Sequence, residues 1–165
     1  MLNLSVNSQQ LTFSKVIQET HVNVGIQTFD NCYMLACEDG NTIKIDSVGN
    51  VVWIKRFSTD NALSALLLYG LITSIDSSYV ITGAATNTIT GNTDALCMKL
   101  NAEGDTLWTK TISYNSSSLE SLSVQQTNDS GFVMTGQFAS EVVPNYGVFV
   151  TKIGSTGNLE WNYFY

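Results

Sequence analysis

The amino-acid sequence predicts an all-β protein of three four-stranded antiparallel units, and three observations carry that prediction. The first is a segment spelled three times: Ile43 to Lys55, Met98 to Lys110 and Thr151 to Tyr163. In each copy a tryptophan (Trp53, Trp108, Trp161) stands four residues after a glycine (Gly49, Gly104, Gly157), and the tryptophans are 55 and 53 residues apart. A fixed period of that size is the mark of a repeat architecture. The second is lysine placement. Lys44, Lys99 and Lys152 lie five residues before the glycine, and Lys55 and Lys110 lie two after the tryptophan. The sixth lysine, Lys15, lies two after Phe13, which stands where a tryptophan would. The third is a run of aspartates, Asp30, Asp76 and Asp129, each three residues before an aromatic: Tyr33, Tyr79 and Phe132.

Each element has a local reason. The glycine segment is a β-hairpin: an apolar run, a turn of Asp, Asn, Ser, Ala and Glu, a glycine able to take positive φ, and a second apolar run with the tryptophan. The aspartates start turns, because a carboxylate there accepts hydrogen bonds from its own backbone. Met1 to Gln10 is a polar lead-in. Leu11 to Ile17 copies a tryptophan strand whose partners are missing, so it is expected to be one extra N-terminal strand. The units are expected at 22–57, 66–112 and 119–165, with Ala62–Leu68 a loop leading into a strand. Glu38–Asn41 makes a short connection between second and third strands, whereas Ala84–Asp94 and Gln137–Gly147 read as longer loops. Inner strands such as Tyr79–Gly83 and Val148–Val150 are almost wholly apolar. A sheet with one wet face would alternate, so these strands read as covered on both faces, like a blade between neighbouring blades.

Composition narrows the function classes. The chain has 165 residues, enough for one domain that buries roughly two thirds of its unfolded surface. Charged residues are 13% and the net charge is −7. The few basic residues are dispersed by the repeat, which argues against nucleic acid; the acidity reads as solubility. Cys32, Cys37 and Cys97 form no metal spacing and read as small buried hydrophobes, with a Cys32–Cys97 or Cys37–Cys97 bridge open. The N-terminus has no basic and apolar leader pattern, and the longest apolar run, around Ala65–Ile72, is too short to span a bilayer. An extracellular, surface or virion-associated setting is expected, without a signal peptide in this chain.

The segments from Gly104 (Gly-Asp-Thr-Leu-Trp-Thr-Lys) and from Asp129 (Asp-Ser-Gly-Phe-Val-Met-Thr-Gly) resemble the β-propeller repeats of about 50 residues in large bacterial secreted and surface proteins. The G-x-x-x-W hairpin is also similar to the tryptophan-docking motif of quinoprotein-type propellers. The resemblance implies four-stranded antiparallel blades, with each tryptophan packed between adjacent blades. It does not carry over the quinoprotein calcium and quinone site, which three blades cannot supply. Because propellers typically have four to eight blades, a β-trefoil, which closes at three units of four strands, is the alternative fold.

Chemistry is sparse. His21 is the only histidine, which leaves little scope for a Ser-His or Cys-His pair, and no phosphate, dinucleotide, hydrolase or zinc-protease motif occurs. Asp46, Asn101 and Gly154 share one repeat position, and its drift to glycine argues against a metal ligand there. No catalytic residue, cofactor or metal is expected, and the chain reads as non-enzymatic. The expected function is a structural or interaction module that associates with itself, as two half-propellers, or with a larger assembly. The alternative is a lectin-like module binding a glycan, for which Tyr114, Tyr146 and Tyr163 are the candidate stacking aromatics.

Overall fold

The structure, a computed structural model, describes residues 21–57, 63–140 and 145–165. It is all-β. The first sheet contains β1 (Val22–Gln27), β2 (Tyr33–Cys37), β3 (Asn41–Ile45) and β4 (Val51–Arg56). The second contains β5 (Leu63–Thr73), β6 (Tyr79–Asn87), β7 (Thr93–Leu100) and β8 (Thr106–Ile112). The third contains β9 (Ser118–Gln126), β10 (Phe132–Ser140), β11 (Asn145–Ile153) and β12 (Leu159–Phe164). All neighbours pair antiparallel in chain order, and among the described residues no sheet closes on itself. The extra strand expected at Leu11–Ile17 lies outside the described residues.

Two kinds of turn recur at matching positions. Between the first two strands of each sheet the turn residue after the aspartate is left-handed: Asn31 (φ 60), Ser77 (φ 63) and Ser130 (φ 65). Short polar side chains tolerate that region best after glycine. The aspartates accept from their own turns, with Ser78 N donating to Asp76 at 3.2 Å and Gly131 N to Asp129 at 3.1 Å. Between the last two strands Gly49, Gly104 and Gly157 take φ of 86, 81 and 88°, as the hairpin motif requires. Each of these hairpins has a register shift at one place: Lys44/Ile45, Lys99/Leu100 and Lys152/Ile153. The shift sets Trp53 opposite Lys44, Trp108 opposite Lys99 and Trp161 opposite Lys152, so cation and indole share one face.

Some expected boundaries move. The second sheet starts at Leu63 rather than near Leu66, so the run expected to be a loop is strand from Leu63 on, while Ala62 lies outside the described residues. Register shifts at Ser64/Leu66 and Leu68/Gly70 break its alternation, which hides the strand from a period-of-two reading. The long second-to-third connections shrink as well. Ala84–Thr86 pairs with Thr93–Ala95, leaving a turn, and Gln137–Ser140 pairs with Asn145–Val148.

The sheets stack face to face around two cores. Met34 and Ala36 of the first sheet meet Leu68, Tyr79, Ile81, Met98 and Leu100 of the second. The opposite face of the second sheet, with Val80, Ala95 and Cys97, meets Leu119, Phe132, Met134, Phe149 and Ile153 of the third. The second sheet is therefore covered on both sides, and β6 and β7 are buried nearly throughout. Tryptophans cross these interfaces. A Cβ on Gly104 would lie 2.8 Å from the Trp53 ring, and one on Gly157 would lie 2.9 Å from Trp108. Each glycine thus serves two purposes, positive φ and room for the previous sheet's indole. Trp108 also donates from Nε1 to the Ser155 carbonyl at 3.2 Å and lies 6.0 Å from Phe132.

Trp108→Ala is expected to destabilise the fold by about 3 kcal/mol, the scale of aromatic truncation in a packed site. Gly104→Val is expected to cost more than about 1 kcal/mol from φ strain and the clash with Trp53. Urea denaturation of the two variants checks both values, and a near-neutral Trp108→Ala would remove the indole from the interface.

Candidate functional site

The most distinctive side-chain arrangement is a lysine socket built three times. Lys44, Lys99 and Lys152 are all buried, and an unpaired buried ammonium is prohibitively costly. Each is neutralised by the aspartate of its own first turn: Lys44 Nζ to Asp30 at 2.7 Å, Lys99 to Asp76 at 2.8 Å, Lys152 to Asp129 at 3.0 Å. Two of the three also reach into the next sheet. Lys44 donates to the Tyr79 hydroxyl at 3.1 Å and lies 5.6 Å from the ring centre. Lys99 lies 5.5 Å from the ring centre of Phe132. Cation–π attraction adds to apolar packing at those positions. Lys152 takes Glu160 instead, at 3.4 Å.

The sockets set the ionisation of their carboxyls. Lys44 and the Thr28 hydroxyl hold Asp30 well below the usual carboxylate range. Burial pushes Asp76 up, but hydrogen bonds from Lys99 and Ser78 outweigh it and the net shift is downward. Asp129 is held down by Thr127 and then Lys152. Burial works against charge on Lys44 and Lys152, yet the carboxylates and other acceptors around them raise both above the ordinary value.

The third sheet leaves one face uncovered by any other described sheet. It is the face that carries the lysine, and on the first two sheets the equivalent face is packed by the next sheet. Val133, Val148, Val150 and Tyr146 lie on it, and Trp161, Tyr163 and Tyr165 form a row along the edge strand. The three rings are 38, 56 and 73% exposed, with centroid spacings of 5.5 and 6.5 Å. At one end of the face, Glu120, Gln137, Ala139, Tyr146 and Val148 line a groove of about 560 Å³. Gln137 Nε2 donates to Glu120 there at 3.1 Å.

The expected ligand aromatics do not share one place. Tyr146, 82% exposed, and Tyr163 are on the open face. Tyr114 is a correction: its ring stacks on Phe164 at 3.8 Å and meets Phe138 edge-on, so it packs against the second core. Its place in the link between β8 and β9 explains this, since that link must fold back over the sheet interface. Gly49, Trp53, Gly104, Trp108, Gly157 and Trp161 occupy the hairpins as the repeat predicts. Cys37 and Cys97 are buried, and Cys32 is partly so. Burial alone pushes the Cys97 thiol up to about 12. His21 is exposed, 3.4 Å from Glu38. Among the described residues no group of three His, Cys, Asp or Glu side chains could hold a metal ion.

Two separate signals, the lysine phase and the aspartate phase, are one device here, and sequence reasoning did not join them. The joining signal was their invariable pairing within each unit on opposite sides of a hairpin core.

No protein-family model matches the chain, and no curated protein does. Among solved structures, it is similar to a protein of unknown function from Bacteroides caccae, at TM-score 0.58 and 9% identity. The match covers 91% of this chain and 48% of the other, so the chain spans about half the length of that protein. At that identity the likeness is one of fold.

The sockets predict a stability plateau with two edges. The three carboxyls are depressed, so their contribution is complete above the ordinary value of 3.8 and drains away as pH falls below it. The raised lysines contribute fully below 10.5 and lose that contribution as pH rises past it. The melting temperature is expected to be flat near neutrality and to drop below about pH 4; equal values at pH 3 and pH 7 would show the sockets to be inert. Asp76→Ala strands a buried cation and is expected to cost about 1–3 kcal/mol. Lys99→Met, which leaves no buried charge, is expected to cost less, and calorimetry of the two variants decides the order.

Proposed function

We propose that the chain is a non-enzymatic structural or interaction module whose sheets are blades of a propeller-type stack. It acts by associating with itself or within a larger surface or virion-type assembly. The observation that carries this reading is the open, lysine-bearing face of the third sheet. Its counterparts on the first two sheets are both buried interfaces, while here an apolar and aromatic surface faces solvent. Contiguous apolar exposure on that scale usually marks a contact surface. Blades are favoured over a trefoil because each sheet is a self-contained meander and none of the described strands pairs with a strand of another sheet.

The groove beside Tyr146 favours a second reading, a lectin-like module. An exposed phenol ring with a carboxylate and an amide beside it suits a sugar's apolar face and hydroxyl edge.

Hydrogen exchange at dilute and at high protein concentration separates the two. The interaction reading expects exchange in β11 and β12 to slow as concentration rises. Exchange independent of concentration, together with glycan-array binding that Tyr146→Ala abolishes, would replace it with the lectin reading.

A further inference from the structure

We infer that the turn end of the joint between the first and second sheets is a docking surface for a basic segment of a partner protein, anchored by one apolar side chain. The inference goes beyond the reading above, because it uses turns of the first two sheets and not the face of the third. Each sheet is a meander, so its first turn and its last hairpin lie at the same end. At that end Phe29, Asp30, Ser77, Tyr79 and Ala102 line a cleft of about 250 Å³ between the two sheets. Small-molecule sites begin at about 300 Å³, so the cleft suits one side chain of a partner rather than a whole ligand.

The cleft has a cause in the repeat. At the joint between the second and third sheets, the Ile75 amide donates to Gln126 Oε1 at 2.9 Å and Trp108 Nε1 donates to the Ser155 carbonyl. Those two bonds tie one sheet's turn end to the next. At the first joint Thr73 stands where Gln126 stands, three residues before the turn aspartate. Its side chain is too short for such a tie, and among the described residues its buried hydroxyl has no hydrogen-bond partner. Ala102 stands where Ser155 stands, and here it borders the cleft.

The lining selects an apolar anchor and the rim selects a basic partner. Two rings, Phe29 and Tyr79, and the Ala102 methyl form most of the wall. Phe29 is 67% exposed, and Ile75 on the neighbouring turn is 81% exposed. Apolar turn tips beside a cleft make a patch of the kind that partners cover. The surrounding charge is negative. Asp30, Asp76 and Asp105 are each matched by a lysine. Asp46 and Glu103, on the hairpins of the first and second sheets, have no cation in ion-pair range among the described residues. Glu103 is exposed and follows Ala102, which places it at the rim. A positive partner is drawn to this end and an acidic one is repelled. Lys44 holds both Asp30 and the Tyr79 hydroxyl, so the cleft is preformed and an anchor entering it loses little to reordering.

Amide NMR spectra of the full chain, titrated with the peptide acetyl-Lys-Lys-Phe-Lys-Lys-amide, test this. Shifts are expected at Asp30, Ser77 and Ala102. Phe29→Ser should weaken binding at least about tenfold, the scale of an anchor contact. Glu103→Lys should weaken it about threefold, the scale of an exposed charge. Both positions are exposed, so the melting temperature should not move. Peptides with Ala in place of Phe, or Glu in place of every Lys, should bind at least about tenfold more weakly. Equal binding of either control peptide, binding indifferent to Phe29→Ser, or no shift at millimolar peptide overturns the docking surface. Shifts at these turns with phosphatidylcholine vesicles and none with the peptide would assign the apolar tips to a membrane, and overturn it too. Any of those failures leaves the interaction reading standing, since that reading is decided at β11 and β12.

Discussion

A buried ammonium group is the constraint on which the rest of the architecture turns. An isolated lysine at the depth of Lys44 or Lys99 would give up its charge or unfold its surroundings. It persists because an aspartate from an adjacent strand turn reaches it while keeping about half its own surface in water. That geometry fixes several other features at once. The aspartate must leave the first turn in a defined direction, which the left-handed Asn31, Ser77 and Ser130 provide. The lysine must face the next sheet, and the register shift after it brings the tryptophan onto the same face. The tryptophan in turn needs a surface with no Cβ, which the next hairpin's glycine supplies. Turn, bulge, indole and glycine are consequences of one placement.

Coupling of this kind runs in one direction along the chain. The first sheet pushes a cation and an indole into the second, and the second does the same to the third. Such stacks behave as quasi-one-dimensional systems, with a term for each unit and a term for each joint. The second sheet has joints on both sides and almost no exposed surface on its inner strands. The outer sheets have one described joint apiece. Burial follows: Tyr79 and Phe132 disappear from solvent while Tyr33, the same residue in the pattern, does not.

Much of this was legible in the sequence because the repeat is spelled in residues with narrow roles. Glycine four before tryptophan specifies both a positive φ and a face, so the three hairpins could be placed to the residue. Lysines five before that glycine specify the cation's strand. The rest was hidden for identifiable reasons. β5 carries two register shifts in an apolar run broken only by Ser64 and Gly70, so neither helical nor strand periodicity is clean. The strand extensions at Ala84–Asn87 and Gln137–Ser140 are rich in Ala, Thr, Asn and Ser, residues as common in loops as in strands, and only pairing decides. Tyr114 looks like a surface aromatic in a polar Tyr-Asn-Ser-Ser-Ser stretch. Its partner, Phe164, is fifty residues away, and no local pattern announces that stack.

The places where the third unit breaks its own repeat are informative for the same physical reason. Where the first two units have Val52 and Leu107, the third has Glu160, and its carboxylate turns to Lys152. Where they have Lys55 and Lys110, it has Tyr163, and the row ends on Tyr165 rather than on a residue packed into a core. Residues facing the second sheet show no such break: Phe132, Met134, Phe149 and Ile153 are as apolar and as buried as Tyr79, Ile81, Leu96 and Leu100 of the second unit. The departures fall on one face alone, the one with no described sheet over it. A lysine that lacks an aromatic lid needs a second carboxylate, and tyrosines that lack a sheet above them keep a hydroxyl for water or for a partner.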